Sequence, residues 1–184
     1  MAKTYNTFTN VSTGDVYTAA AHNNILTNLG NYRVPPTALV SRVTTQSISN
    51  SVFNNVQFTA EGWDTDDIAT LATNNDRLTI KTAGIYLVTA NAMFAANATG
   101  QREMTIVQSP TPAWTTSGTI ASTAFVYGTS SVNIYQAMSA SVITTCAVND
   151  YFTVQVWQNS GGALNLQCDI RPASLSVTWL GQVS

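Results

Sequence analysis

Charged residues are scarce in this chain of 184 residues. Lys, Arg, Asp and Glu together make up 9% of it, against roughly 25% in a typical soluble domain. The seven basic residues are scattered along the sequence, and the net charge is -2. Nucleic-acid binding needs basic residues clustered into a stripe that follows the phosphates. We therefore expect no nucleic-acid partner.

Histidine occurs only once, at His22, which argues against a Ser-His-Asp triad or a multi-histidine metal site. The carboxylates form one cluster, Asp64, Asp66 and Asp67. This cluster lacks the Gly and the bidentate Glu of an EF-hand calcium loop. We expect a solvated turn there, and the sequence leaves open whether it binds a cation. We expect no enzyme activity, no cofactor and no metal.

There are two cysteines, Cys146 and Cys168. Residues 160–162 (Ser-Gly-Gly) predict a hairpin turn that sets Cys168 opposite Val154, about eight residues from Cys146. A disulfide needs Cα atoms within about 7 Å. We therefore expect two buried thiols, with a disulfide as the alternative.

Long apolar runs are also missing, since no segment approaches the roughly 18 residues of a membrane-spanning helix. The first residues, Met-Ala-Lys-Thr-Tyr-Asn, contain no apolar stretch after Lys3. A secretory signal peptide needs such a stretch. We expect no membrane partner, and we expect synthesis and folding in a cytoplasm.

Thr, Ser and Asn are abundant and make up about a third of the chain. A Thr-rich chain that is poor in Lys and Glu favours strands, because β-branched side chains fit a pleated surface. Many short strands without helices between them predict a sandwich or a barrel. The predicted strands are 39–45, 53–59, 77–81, 84–94, 102–108, 120–127, 131–144, 151–158, 164–168 and 174–181.

The N-terminal segment differs from the rest. We divide the chain into an arm, residues 1–37, and a head, residues 38–184. The arm contains one predicted helix, from an N-cap at Thr18 to a C′ residue at Gly30, and Pro35-Pro36 predicts an extended linker. We expect the arm to add little to the stability of the head but to anchor the protein to a larger particle. The predicted anchor residues are Tyr5, Phe8, Tyr17, Ile25, Leu26 and Leu29.

Two predicted strands, 84–94 and 151–158, are apolar on both faces. We assign one face to the core, with Tyr86, Val88, Phe94, Phe152, Val154 and Val156, joined by Val177 and Trp179. The other face needs a cover, because exposing it would forgo about 1.5–3 kcal/mol per large side chain. Oligomerisation supplies one, and loops or the arm are the alternative. The predicted trimer-interface residues are Ile85, Leu87, Thr89, Asn91, Met93, Tyr151, Trp157 and Leu180.

Three stretches carry a family resemblance: LTIKTAGIYLVTANAMF (78–94), NDYFTVQVWQNSGG (149–162) and SLSVTWLG (174–181). They resemble strand C with its Gly-x-Tyr, the Asp-initiated strand F and the closing strand H of the tumour necrosis factor and complement component 1q superfamily. The resemblance implies an all-β, antiparallel jelly-roll sandwich. It also implies a homotrimer about a three-fold axis.

Two further stretches, 14–32 and 58–90, are similar to segments of tailed-bacteriophage virion proteins, namely their short N-terminal segments and their jelly-roll heads. This resemblance implies a structural virion protein, assembled in the host cytoplasm. It would decorate or cement the capsid, or form a head spike, with the major capsid protein as its partner. The alternative is a receptor-binding tail spike or fibre tip that grips a host-surface glycan or protein. A glycan-active enzyme on the virion ranks third.

Overall fold

The computed structural model describes residues 2–6, 12–111, 119–128 and 135–183. Within them, one helix precedes thirteen strands. The helix is α1 (Ala19–Arg33). The strands are β1 (Thr37–Arg42), β2 (Gln46–Ile48), β3 (Asn54–Asn55), β4 (Ala60–Asp64), β5 (Ala69–Thr70), β6 (Asn74–Thr79), β7 (Gly84–Phe94), β8 (Gln101–Ser109), β9 (Thr119–Tyr127), β10 (Gln136–Cys146), β11 (Tyr151–Gln158), β12 (Leu164–Leu166) and β13 (Ala173–Gly181).

The strands form two sheets, and the strand pairs among the described residues are antiparallel. Sheet A has the order β2-β12-β7-β13-β1-β4, with β10 on the free side of β7. Sheet B has the order β5-β6-β11-β8-β9, and β3 also pairs with β11. The predicted class, an antiparallel jelly-roll sandwich behind a short arm with one helix, is confirmed.

The core lies between the sheets, where every second residue of the long strands is buried. In β7 the inward side chains include Tyr86, Val88 and Phe94, and in β11 they include Phe152 and Val154, all at most 1% exposed. The eight side chains predicted for the core are all buried. The faces of both strands were therefore assigned correctly, because the period of two fixes which side chains share a face.

Helix α1 begins as predicted but ends later. The Thr18 hydroxyl accepts a hydrogen bond from the Ala21 backbone N–H at 3.1 Å, which is the expected N-cap. The helix continues through Gly30 to Arg33, so the prediction that it stops at Gly30 was wrong. It ends where Pro35 and Pro36 follow, because the residue before a proline is disfavoured in helical geometry.

Strand β12 is also placed differently from the prediction. The turn at residues 160–162 does not fold β12 back onto β11. Instead β12 crosses to sheet A, where Leu164 pairs with Ile48 and Leu166 pairs with Phe94. A Gly-Gly turn signals a change of direction but does not specify the partner strand. Strand β4 lies between two of the predicted strands, 53–59 and 77–81, and was not itself predicted.

Gly84 opens β7 at a point where no side chain would fit. A Cβ at this position would lie 2.1 Å from Trp179 Nε1 and 2.5 Å from the Gly181 carbonyl oxygen. The missing side chain lets the Trp179 indole cross the end of β7, where its Nε1 donates to the Ala83 carbonyl at 3.2 Å. Trp179 thereby closes the end of the sandwich that faces the arm.

Candidate interaction surfaces

The outer face of sheet A is a continuous surface of small polar and aliphatic side chains. Cross-strand register places its residues in rows that run from β10 through β7 and β13 to β1. One row is Ile143, Leu87, Thr178 and Thr37, and the next is Ser141, Thr89, Ser176 and Leu39. No outward-facing residue of these four strands, within the described residues, carries a charge.

Four polar side chains at the centre of this face are paired with each other. Thr89 Oγ1 and Ser176 Oγ share a hydrogen bond at 2.7 Å, and Asn91 Nδ2 donates to Ser174 Oγ at 2.6 Å. Covering a polar group is costly mainly when the group loses its partner. A second protein surface can therefore cover this face at a small desolvation cost.

The eight residues predicted for the trimer interface fall on two surfaces. Six lie on the outer side of sheet A: Ile85, Leu87, Thr89, Asn91, Met93 and Leu180. Met93 is only 6% exposed, so the single chain already covers it. Tyr151 and Trp157 lie on the outer side of sheet B. The two outer sides point in opposite directions, so one flat contact cannot contain all eight residues.

The outer face of sheet B is more aromatic and carries charge. Trp157 stands beside Glu103, and Glu103 stands beside Phe125, as direct cross-strand neighbours. The Phe53 ring lies against Trp157 with centroids 6.4 Å apart. Farther along β11, the Arg77 guanidinium lies 5.3 Å from the centre of the Tyr151 ring. This face thus offers rings and fixed charges, which the outward rows on β10, β7, β13 and β1 of sheet A lack.

The start of the arm is docked on the head. The Tyr5 ring stacks on Trp179 with centroids 4.7 Å apart, and it packs against the core cluster. The Lys3 backbone N–H donates to Thr82 Oγ1 at 2.8 Å. Asn28 of α1 accepts from the Asn6 N–H and donates to its carbonyl, both at 2.8 Å. These contacts argue against the expectation that the arm contributes little to the stability of the head.

The remaining predicted anchor residues lie on or near α1. Tyr17, Leu26 and Leu29 are 56%, 52% and 59% exposed, while Ile25 is half-buried. The buried residue of the helix is the polar Asn28, because α1 rests on residues 2–6 rather than on an apolar surface. Phe8 lies outside the described residues. The helix therefore presents leucines to solvent.

A buried polar cluster lies beneath the docked arm. Thr82 Oγ1 donates to Asp66 Oδ2 at 2.7 Å, and the Tyr86 hydroxyl donates to the Thr82 carbonyl at 2.7 Å. The other Asp66 oxygen and the Tyr5 hydroxyl are buried and have no hydrogen-bond partner among the described residues. Burial, with the nearby Tyr32 and Asp66, raises the pKa of Tyr5 to about 12. Burial also raises the pKa of Asp66, although the Thr82 hydrogen bond opposes the shift.

The acidic cluster shapes a turn. Asp64 Oδ1 accepts from the Asp66 N–H at 2.9 Å, and Asp64 Oδ2 accepts from the Ala69 N–H at 2.7 Å. Both oxygens are thus committed to the backbone. No group of three or more metal-ligating side chains occurs among the described residues. Nor does that part of the chain contain a helix long and apolar enough to cross a membrane.

Both cysteines are buried and free. Burial raises the pKa of the Cys146 thiol to about 12 and also raises that of Cys168. A thiol that stays protonated at neutral pH is a poor nucleophile and a poor metal ligand. The expectation of two buried thiols is confirmed, although the hairpin that motivated it does not form.

Several exposed apolar residues were missed by the sequence reasoning. Ile143 is 64% exposed on β10, Trp63 is 51% exposed on β4, and Phe125 and Tyr127 are 54% and 74% exposed on β9. Strand β4 was not predicted, β10 was predicted with other bounds, and β9 was predicted without an assignment of its faces. In β10, exposed and covered residues alternate from Ala137 to Thr145. The same period of two, applied to the sequence, would have placed Ile143 on the exposed face.

Comparison with solved structures identifies the fold. The globular domain of zebrafish complement 1qA is 14% identical and matches with a TM-score of 0.54, over 80% of this chain and 99% of that domain. Murine APRIL at pH 5.0 is 12% identical with a TM-score of 0.59, over 79% and 98% of the two chains. Eiger TNF from S. frugiperda is 10% identical with a TM-score of 0.59, over 81% and 96%. The head therefore has the jelly-roll fold of tumour necrosis factor and complement 1q domains.

No family model matches the sequence, and no curated protein matches it either.

Proposed function

We propose that this protein is a homotrimeric, non-catalytic structural protein of a tailed-phage virion, which decorates or cements the capsid. The observation that carries the trimer is the outer face of β10, β7, β13 and β1 in sheet A, where no described outward residue is charged and four polar side chains are paired with one another. An interface core is depleted of charged residues in the same way. The likeness to complement 1q and tumour necrosis factor domains supports a non-enzymatic role.

A three-fold ring needs a contact between two different patches, because each subunit meets its two neighbours through unlike surfaces. The outer face of sheet A supplies one patch. Strand β10 supplies the other, since it pairs with β7 and has no second strand partner among the described residues. A free strand edge invites association with another chain. In the proposed trimer, the β10 edge of one subunit packs against sheet A of the next.

Helix α1 is the proposed attachment element. Its leucines Leu26 and Leu29 are 52% and 59% exposed, so no apolar surface among the described residues covers them fully. Residues 2–6 hold the helix against the head through Asn28 and Asn31, whose side-chain amide donates to the Thr4 carbonyl at 2.6 Å. The helix therefore has a fixed base and a free apolar side, which suits a partner with an apolar groove. The major capsid protein is the proposed partner.

The phage assignment rests on the resemblance of residues 14–32 and 58–90 to phage virion segments. The second candidate is a receptor-binding tip on the tail, and the exposed aromatic residues of sheet B favour it. The two candidates differ in copy number. A capsid decoration protein is present in hundreds of copies per particle, whereas a tail tip is present in a handful.

The test is quantitative mass spectrometry of purified particles, with binding of tagged variants as the second readout. Leu26→Ser combined with Leu29→Ser should leave the oligomer intact yet abolish attachment to particles that lack the protein. Thr27→Ser, on the same helix, is the matched control and should attach normally. Absence of the protein from purified particles, or full attachment of the double variant, would contradict the proposal.

A further inference from the structure

Three aromatic side chains neighbour a carboxylate on the outer face of sheet B, and a fourth packs behind one of them. Glu103 of β8 lies between Trp157 of β11 and Phe125 of β9 in a single cross-strand row. Tyr127 lies two residues beyond Phe125 on the same face, hence diagonal to Glu103. The Phe53 ring backs Trp157 at 6.4 Å between centroids. We name this group, Phe53, Trp157, Glu103, Phe125 and Tyr127, the aromatic box.

The spacing of the aromatic box matches a ligand of definite width. Neighbouring strands lie about 4.8 Å apart, so the two side chains that flank Glu103 are about 9–10 Å apart at their bases. A group held above the Glu103 carboxylate, between the two rings, would lie about 5 Å from each ring, within the roughly 6 Å range of a cation–π contact. A methylated ammonium group fills such a gap, whereas a bare metal ion would leave it mostly empty.

The charge of the aromatic box is negative and uncompensated. Thr105 Oγ1 donates to Glu103 Oε1 at 3.1 Å, which holds the carboxylate in place. Glu103 forms no ion pair with another described residue, whereas Arg77 pairs with Asp76 within β6. Exposed rings with a fixed, unpaired carboxylate between them are complementary to a cation with an apolar surface.

From this arrangement we infer that the aromatic box binds an organic cation of the trimethylammonium class. The rings supply cation–π contacts and apolar area for the methyl groups, and Glu103 supplies the opposite charge. Phe125 and Tyr127 are 54% and 74% exposed, so the site is open to solvent. It lies on the side of the sandwich that points away from the proposed interface on sheet A, so this inference does not depend on the trimer.

The test is isothermal titration calorimetry of the full chain with choline, set against its neutral carbon analogue 3,3-dimethylbutan-1-ol. Choline should bind saturably with a dissociation constant of about 1 mM or tighter, and the analogue, which has the same shape without the charge, should bind about tenfold more weakly. Absence of saturable choline binding, or equal binding of the analogue, would overturn the inference.

Variants locate the site. Glu103→Gln should weaken choline binding about tenfold, and so should Phe125→Ser, whose exposed position leaves the fold intact by circular dichroism. Glu61→Gln, an exposed carboxylate on β4 of sheet A, is the matched control and should bind like the parent. If Glu103→Gln and Phe125→Ser both bind choline normally, the site lies elsewhere and the inference is wrong.

Vesicles distinguish the source of the head group. If the parent protein sediments with phosphatidylcholine vesicles but not with phosphatidylglycerol vesicles, and the Glu103→Gln variant sediments with neither, the protein takes the head group from a lipid. Protein that binds choline in solution and stays in the supernatant takes it from a soluble or glycan-borne source. Both results support a trimethylammonium site, and sedimentation that Glu103→Gln leaves unchanged counts against it.

Discussion

The two outer faces of the sandwich are built on the same core but differ in chemistry. On sheet A, Thr89 forms a hydrogen bond with Ser176 and Asn91 forms one with Ser174, so these four side chains satisfy one another. On sheet B, Glu103 lies between two aromatic side chains and forms no ion pair with another described residue. An uncharged surface whose polar side chains are paired is suited to permanent burial. Exposed aromatic side chains beside a carboxylate are suited to reversible binding of a ligand. The contrast teaches that apolar content alone does not define what covers a sheet.

The largest effect is expected from a substitution in the core, which supports both outer faces. Phe94 is fully buried between the sheets, and Leu166 pairs with it across β12. Phe94→Ala should lower the free energy of unfolding by about 3–5 kcal/mol, because it removes buried area and leaves a cavity. Urea denaturation followed by circular dichroism measures this. A loss under about 1 kcal/mol would mean that the cavity collapses or that the core lies elsewhere.

A matched pair of charge substitutions tests the two faces directly. Ile143 on sheet A is 64% exposed and Phe53 on sheet B is 49% exposed, so in a monomer either change to Asp should stay within about 0.5 kcal/mol. In the proposed trimer, Ile143→Asp buries an unpaired charge and should weaken association by about 3–5 kcal/mol. Phe53→Asp should leave the oligomer unchanged. Light scattering of both variants at micromolar concentration decides, and equal behaviour of the pair would refute the assignment of the faces.

The arm provides a smaller effect that is independent of either face. Tyr5→Ala removes the ring stacked on Trp179 and should lower stability by about 1.5–3 kcal/mol, the value of burying one large side chain. Tyr17→Ala, at a position 56% exposed, should change stability by less than about 0.5 kcal/mol. Thermal melts compare the two variants. Equal melting temperatures would mean that the arm is not docked in solution.

The smallest predicted effect depends on pH. The folded state raises the pKa of Tyr5 from 10.0 to about 12, so folding favours the neutral phenol. Its contribution is full below pH 10.0 and is lost as the pH rises through about 12. Tyr5→Phe keeps the ring but cannot ionise. The stability of the parent relative to this variant should therefore fall across that window and stay flat below it. A flat difference throughout would show that the Tyr5 hydroxyl is solvated.

Short-range patterns in the sequence predicted most of the fold. The alternation in 84–94 assigned Tyr86, Val88 and Phe94 to the core, because the side-chain period of a strand is two. The bounds of β7 and β11 agree with the prediction, since each strand is long and is closed by turn residues. Thr18 was recognisable as a helix cap because capping depends on one local hydrogen bond.

Long-range contacts could not be predicted in the same way. Nothing near Tyr5 in sequence indicates that its ring stacks on Trp179 at the far end of the chain. The same holds for β12, whose partners β2 and β7 come much earlier in the chain. The second apolar sides of β7 and β11 were noticed, but the sequence does not state that they belong to different sheets. That assignment depends on which strands pair, and it separates Trp157 from Leu87.

The central claim is that the outer face of sheet A is buried between three copies of the chain. Light scattering coupled to size-exclusion chromatography tests it most directly, over a range of micromolar concentrations. The account predicts one species with three times the 19.6 kDa mass of the chain, which persists on dilution because interfaces of this kind bury about 2,000 Å² or more. A stable particle with the mass of a single chain would contradict it.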